Sequence, residues 1–154
     1  MEVRIRRAEH QDLPILEDFL QQLIAVERPM DPSLEQVEFI KYYELSSFIE
    51  SATAELYVAT VNNEIVGSGY GDIRQNKAHF AHTNYGYVGF MFVKEEFRGL
   101  GISSKVLEKI FEWFRSKGIK ETRLTVYQEN PSAIRAYEKV GYKKNLIEML
   151  HYLE

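Results

Sequence analysis

Apolar and charged residues alternate from Val3 to Arg7, the period of a strand with one buried face. From Leu13 the period changes, and Leu16, Phe19, Leu20, Leu23 and Ile24 recur at helical spacing. Asp12 suits the cap of that helix and Pro14 its first turn. Pro29 and Pro32 break it. Ser33, with Glu35 and Glu38, opens a second predicted helix whose apolar side is Leu34, Val37, Phe39, Ile40 and Leu45. Residues 56–61 and 65–71 are predicted strands joined through Asn62-Asn63-Glu64, a hairpin. Residues 72–84 are polar and read as a loop, and 85–93 as a rich strand. Ile102, Val106, Leu107, Ile110, Phe111 and Phe114 mark one face of a long helix, which Gly118 ends. A strand over 122–127, a short helix over 131–140 closed by Gly141, and a final strand over 146–153 complete the chain. The order βααβββαβαβ predicts one α/β (α+β) domain over residues 1–154, with a mixed, mostly antiparallel sheet and about four helices.

Composition narrows the function. The net charge of −4 lacks the basic excess that displaces counterions from nucleic acid, so no nucleic-acid partner is expected. It suits an amine or cationic partner. With no cysteine there is no disulfide, no thiolate metal site and no cysteine nucleophile. The start, MEVRIRRAEH, has no apolar signal region, and apolar runs fall far short of the roughly 20 residues that span a bilayer. The chain is expected to be cytoplasmic, with no membrane partner. Aromatic residues are abundant, 10 Tyr and 9 Phe, and several cluster between 79 and 92.

The chemistry concentrates in two segments. In FMFVKEEFRGLGIS, residues 90–103, a strand runs into a glycine-containing loop that opens a helix. Free amides at a helix start, with the helix dipole, favour an anion. Gly99 and Gly101 let a ligand approach the backbone, Ser103 is small, and Arg98 adds a permanent cation. Neither GxxxxGK[ST] nor GxGxxG is present, so any phosphate is held in another manner. Taken alone, residues 98–101 also suit an ordinary glycine turn. In NPSAIRAYEKVGY, residues 130–142, Asn130 suits a cap, Pro131 the first turn, and Ala133 and Ala136 leave room for close approach. Tyr137 carries a phenol of reference pKa about 10, able to protonate a thiolate whose conjugate acid lies near 8.5. It also suits a core tyrosine with a satisfied hydroxyl.

Together the two segments resemble the GNAT N-acetyltransferase superfamily. RGLGIS after MFV is similar to its acetyl-CoA motif R/Q-x-x-G-x-G/A, and NPSAIRAYEKVGY to its N-x-x-A-x-x-x-Y-x-x-x-G-F segment. The opening RIRRAEHQDL also resembles the usual family start. The resemblance implies an N-acetyltransferase using acetyl-CoA as co-substrate, with no metal. It implies that the backbone of Met91, Phe92 and Val93 pairs with the pantetheine arm. Main-chain amides across Arg98, Gly99, Leu100, Gly101, Ile102 and Ser103 would cradle the pyrophosphate. Asn130 would touch the pantetheine, and Tyr137 would face the sulfur as general acid. Ser103 departs from the preferred Gly or Ala, and Tyr142 from the usual Phe. The resemblance implies a primary amine on a small molecule or a peptide as acceptor, and dimers are frequent in the superfamily, so a homodimer is allowed.

Direct transfer requires a neutral amine, a donor for the tetrahedral oxyanion, in this family typically an amide near Phe92, and a proton for the departing thiolate. Many relatives carry a glutamate six residues before the valine that ends the pantetheine strand, where this chain has Tyr87, or use a position here occupied by Thr125. Tyr87 is the candidate to order a water or to accept the proton through one, with Tyr85 beyond it on the same face; both also suit the wall of the acceptor pocket. His79 and His82 titrate near neutrality but fall in the loop, and Glu38 and Glu44 fit an exposed helix face. A non-catalytic acyl-CoA-binding module would carry the same motif, but Tyr137 favours the enzyme because a binder needs no acid. A longer acyl donor would need a cavity near Gly86 and Gly89.

Overall fold

The computed structural model describes residues 1–34 and 44–154. In chain order the elements are β1 (Val3–Arg7), α1 (Leu13–Glu27), α2 (Leu45–Glu50), β2 (Ala54–Val61), β3 (Glu64–Gln75), β4 (Asn84–Val93), α3 (Ile102–Ser116), β5 (Thr122–Arg123) and α4 (Pro131–Lys139). The strands form one sheet in the order β1-β2-β3-β4-β5, antiparallel except for the parallel β4–β5 pair. Among the described residues this is the mixed, mostly antiparallel sheet with four helices that the sequence predicts.

Each face of the sheet carries its own core. On one side Leu16, Phe19, Leu20 and Ile24 of α1 and Leu45 of α2 pack on Leu56, Val58, Tyr70, Phe90 and Phe92. On the other, Ile102, Val106, Leu107, Ile110, Trp113 and Phe114 of α3 pack on Tyr57, Ala59, Val66 and Val88. The two sets are the alternate side chains of the strands and the apolar stripes of the helices. Asn62 and Asn63, at φ 50° and 64°, supply the two left-handed residues that the β2–β3 hairpin demands. Asp12 does not cap α1. Its buried carboxylate accepts from Arg6 Nη1 (2.8 Å) and Nη2 (3.1 Å) and from the amide of Glu9 (2.8 Å). Those bonds, the Arg6 guanidinium first, hold its pKa below the usual carboxylate range.

β4 contains a bulge. Ser68 pairs with Phe92 and Tyr70 with Gly89, so Phe90 and Met91 stand opposite the single residue Gly69. Phe90 lies at φ +53°, unusual for a residue with a bulky side chain, and its carbonyl accepts from the buried Ser68 hydroxyl (3.0 Å).

Four expectations are corrected. The polar stretch 72–84 is mostly strand: β3 runs to Gln75 and β4 starts at Asn84, which leaves a shorter loop. β5 is two residues long, because the chain leaves β4 after Arg123. Residues 33–34 lie in a turn, with the Leu34 amide donating to Asp31 (3.2 Å), while the rest of the expected second helix up to Tyr43 lies outside the described residues. Finally, residues 146–153 are not a strand. Their apolar residues fall in adjacent pairs, Leu146-Ile147, Met149-Leu150 and Tyr152-Leu153, which offer no alternating face, and these side chains are 55–89% exposed.

Candidate active site

Among the described residues β4 pairs with β5 at two positions, Gly86–Thr122 and Tyr87–Arg123. Beyond them β5 departs, and among the described residues the β4 edge that faced it runs without a strand partner to Val93. The result is a notch with its vertex at Tyr87 and its mouth at the loop before α3. In that loop Gly99 (φ +77°) and Gly101 (φ +79°) are both left-handed, a backbone that side chains rarely adopt. Open space surrounds the position of a Cβ at either residue. Gly101 caps α3 with no side-chain acceptor, and the Lys105 amide donates to Gly101 (3.2 Å), which leaves the amides of Ile102, Ser103 and Ser104 without intrahelical acceptors. Together these form a backbone cradle for an anion. Arg98 is exposed, and its Nε donates to the carbonyl of Val93 (3.0 Å), tying the loop to the end of β4.

Asn130 caps α4, its Oδ1 accepting from the Ala133 amide (3.2 Å). Tyr137 is half-buried and packs with Val140 against the α3 core, its ring 6.0 Å from Tyr142 and nearly perpendicular to it. Tyr142 is anchored by the Thr122 hydroxyl, which donates to its own (3.0 Å), and burial raises its pKa despite that bond.

The vertex is richer than the sequence suggested. The hydroxyls of Tyr87 and Thr125 lie 2.9 Å apart, so the two positions singled out for a base are brought together. Tyr87 packs against the α1-side core and Tyr137 against the α3-side core, so the two phenols belong to opposite faces of the sheet. The Arg74 guanidinium lies 3.7 Å from the centre of the Tyr87 ring. Arg74 Nε donates to Asp72 Oδ2 (3.1 Å). Partial burial opposes the Arg74 charge, but Asp72 and the phenols of Tyr70 and Tyr87 outweigh it, and the pKa rises above the ordinary guanidinium value. Tyr85 instead receives Arg123, 4.2 Å from its ring centre. The Tyr127 hydroxyl donates to Asp31 (2.6 Å), joining the turn after α1 to the chain beyond β5. The sequence reading missed Arg74 because it fell in the presumed loop; the alternation Asp72-Ile73-Arg74 was the signal that β3 continued there.

Residues 18–142 match the Acetyltransferase (GNAT) family. The chain belongs to this family. It is 27% identical to fission yeast (Schizosaccharomyces pombe) N-alpha-acetyltransferase 30 over 86 residues, 56% of this chain and 55% of that protein. The chain thus spans about half the length of that relative. A Bacillus halodurans protein superposes with a TM-score of 0.85 at 19% identity, covering 97% of this chain and 99% of that one. A predicted acetyltransferase from Clostridium acetobutylicum, with acetyl-CoA, superposes with a TM-score of 0.75 at 16% identity, covering 99% and 97%. At such identities the two structures share its fold.

The rest of the GNAT chain refines the site. His79 and His82 lie in the exposed β3–β4 loop, where His79 packs on Phe80 at 4.4 Å. Glu44 is exposed ahead of α2, and Glu38 lies outside the described residues. Among the described residues no group of three or more His, Cys, Asp or Glu could hold a metal ion, and no helix is long and apolar enough to cross a membrane. The space beside Gly86 is filled by the Phe114 ring, 2.4 Å from where a Cβ would stand, and that beside Gly89 by Tyr70, at 2.5 Å. No room for a long acyl chain lies there.

Proposed function

We propose that this chain transfers the acetyl group of acetyl-CoA to a primary amine by direct attack. The observation that carries the reading is the notch, a strand edge that among the described residues has no strand partner from Val88 to Val93 and that leads to free amides at a helix start. The pantetheine arm takes the place of the missing strand along Met91, Phe92 and Val93, and amides between Arg98 and Ser103 clasp the pyrophosphate. Asn130 meets the arm from the α4 side. This threading directs the thioester toward the vertex. There the neutral amine attacks the carbonyl, the oxyanion takes a main-chain amide of the open β4 edge near Phe92, and the C–S bond breaks as Tyr137 protonates the thiolate. Tyr87, bonded to Thr125, orders a water through which the amine proton passes to solvent. A short donor fits the aromatic filling beside Gly86 and Gly89.

One experiment tests the binding and the chemistry together. Acetyl-CoA binding by titration calorimetry and free-thiol release with an amine panel are measured for the wild type, Gly101→Glu and Tyr137→Phe. Gly101→Glu abolishes binding, since a carboxylate and a strained side chain enter the cradle. Tyr137→Phe keeps acetyl-CoA affinity and loses about 10²–10⁴-fold in turnover. Undiminished binding by Gly101→Glu moves the cofactor site elsewhere. Binding without any thiol release marks a carrier rather than an enzyme.

A further inference from the structure

The vertex carries a cation that the transfer chemistry does not use. Arg74 stands on β3 opposite Tyr85, one strand in from the notch, and its guanidinium covers the Tyr87 ring. Its Nε is committed to Asp72. Among the described residues its two terminal nitrogens make no hydrogen bond or ion pair, and the side chain is 40% exposed. The neighbouring charges are already engaged. Arg123 donates Nε to Glu121 (2.6 Å) and Nη2 to Asn76 (3.0 Å). Asp31 accepts from the Ser33 amide and hydroxyl as well as from Tyr127. Asp72 is turned to Arg74. Among the described residues, the outer edge of the Arg74 guanidinium is open, held flat by the Tyr87 ring and braced from behind by the Asp72 carboxylate.

That edge is a fork of parallel N–H donors, the geometry that matches two oxygens of one anion. The stack on Tyr87 and the bond to Asp72 fix its plane, so little side-chain freedom remains to be lost on binding. Tyr87 marks where the amine reacts, so the anion that Arg74 meets belongs to the acceptor and lies close to the acceptor's amine.

We infer that Arg74 selects acceptors bearing a carboxylate or phosphate next to the reactive amine, the Arg74 terminal nitrogens gripping two of its oxygens while the amine lies over Tyr87. This rests on the transferase reading above. Amino acids, peptide N-termini with an adjacent acidic group and amino-sugar phosphates share that chemistry. Simple alkylamines and cationic polyamines lack it.

The test uses matched acceptors that differ only in the anion, an amino acid against its carboxamide and an aminohexose phosphate against the free aminohexose. The ratio of kcat/KM within each pair is measured for the wild type, Arg74→Gln and Arg74→Lys. Because all three proteins see the same amines, differences in basicity cancel when their ratios are compared. The wild type favours the anionic member of at least one pair by about tenfold or more, as hydrogen bonds to a charged group imply. Arg74→Gln brings that ratio close to one, and Arg74→Lys restores only part of it, because an ammonium lacks the planar fork. The pair that responds tells carboxylate from phosphate. A wild-type ratio near one, or a ratio unchanged in Arg74→Gln, overturns the inference and leaves acetyl transfer standing. No transfer to any amine, despite acetyl-CoA binding that Gly101→Glu abolishes, overturns the transferase reading and this inference with it.

Discussion

Leucines occur in both the block from β1 to α3 and the chain beyond β5, and they meet opposite fates. Leu16 and Leu20 of α1 are fully buried between helix and sheet, whereas Leu146, Leu150 and Leu153 are 59–89% exposed. Hydrophobicity is equal in the two sets; periodicity is not. In α1 the apolar residues return to one side at every turn, so a single docking event buries them all. Near the C-terminus they come in adjacent pairs, and any extended arrangement puts half of them on each side. Burial therefore follows the repeat of the pattern more closely than its apolar content.

The comparison can be broken most severely by one substitution made in both places. Leu20→Ala is expected to cost about 2–5 kcal/mol in urea unfolding at pH 7, the range for an emptied core site. Asp12→Asn, in the well-packed block but polar, is expected to cost about 2 kcal/mol, from hydrogen bonds to a charged group. Its effect depends on pH. The Asp12 pKa is depressed in the folded protein, so its stabilisation is complete above the ordinary carboxylate value of about 3.9 and fades as pH falls through the lower, folded-state value. The gap between Asp12→Asn and wild type therefore narrows in acid, and a gap constant from pH 7 to pH 3 would remove the ion pair as its cause. Leu150→Ala is expected to change stability by less than about 0.5 kcal/mol. A loss near that of Leu20→Ala would mean that the segment packs in solution and that the contrast drawn here is wrong.

Much of the architecture was legible because it rests on local periodicity. The stripe from Ile102 to Phe114 gave α3, Asn62-Asn63 gave the hairpin, and Asn130-Pro131 gave the cap and first turn of α4. Strand ends were less legible, since they depend on the neighbouring strand: β3 outran its apolar run to Gln75 because β4 pairs with it, and β5 stopped at Arg123 because nothing keeps it beside β4. The glycine turn stood out by its two glycines before a helix, and Tyr137 was singled out by the resemblance of its segment to the family's. The stacking of Arg74 on Tyr87 was not legible, because it joins residues on adjacent strands whose register only the folded sheet defines. The same holds for Tyr87 with Thr125, 38 residues apart in the chain.

The kink at Phe90 has a bookkeeping consequence for β4. Tyr87 and Gly89 face α1, and so do Phe90 and Phe92, while Val88 and Met91 face α3. One residue is therefore surplus to strict alternation, and it is the one in the left-handed conformation. Deleting Phe90 would leave every later side chain pointing as it does now, whereas deleting Val88 would turn the first half of the strand inside out relative to the second. The strand thus tolerates loss of length at a single address, and loss there would straighten the edge on which the notch depends.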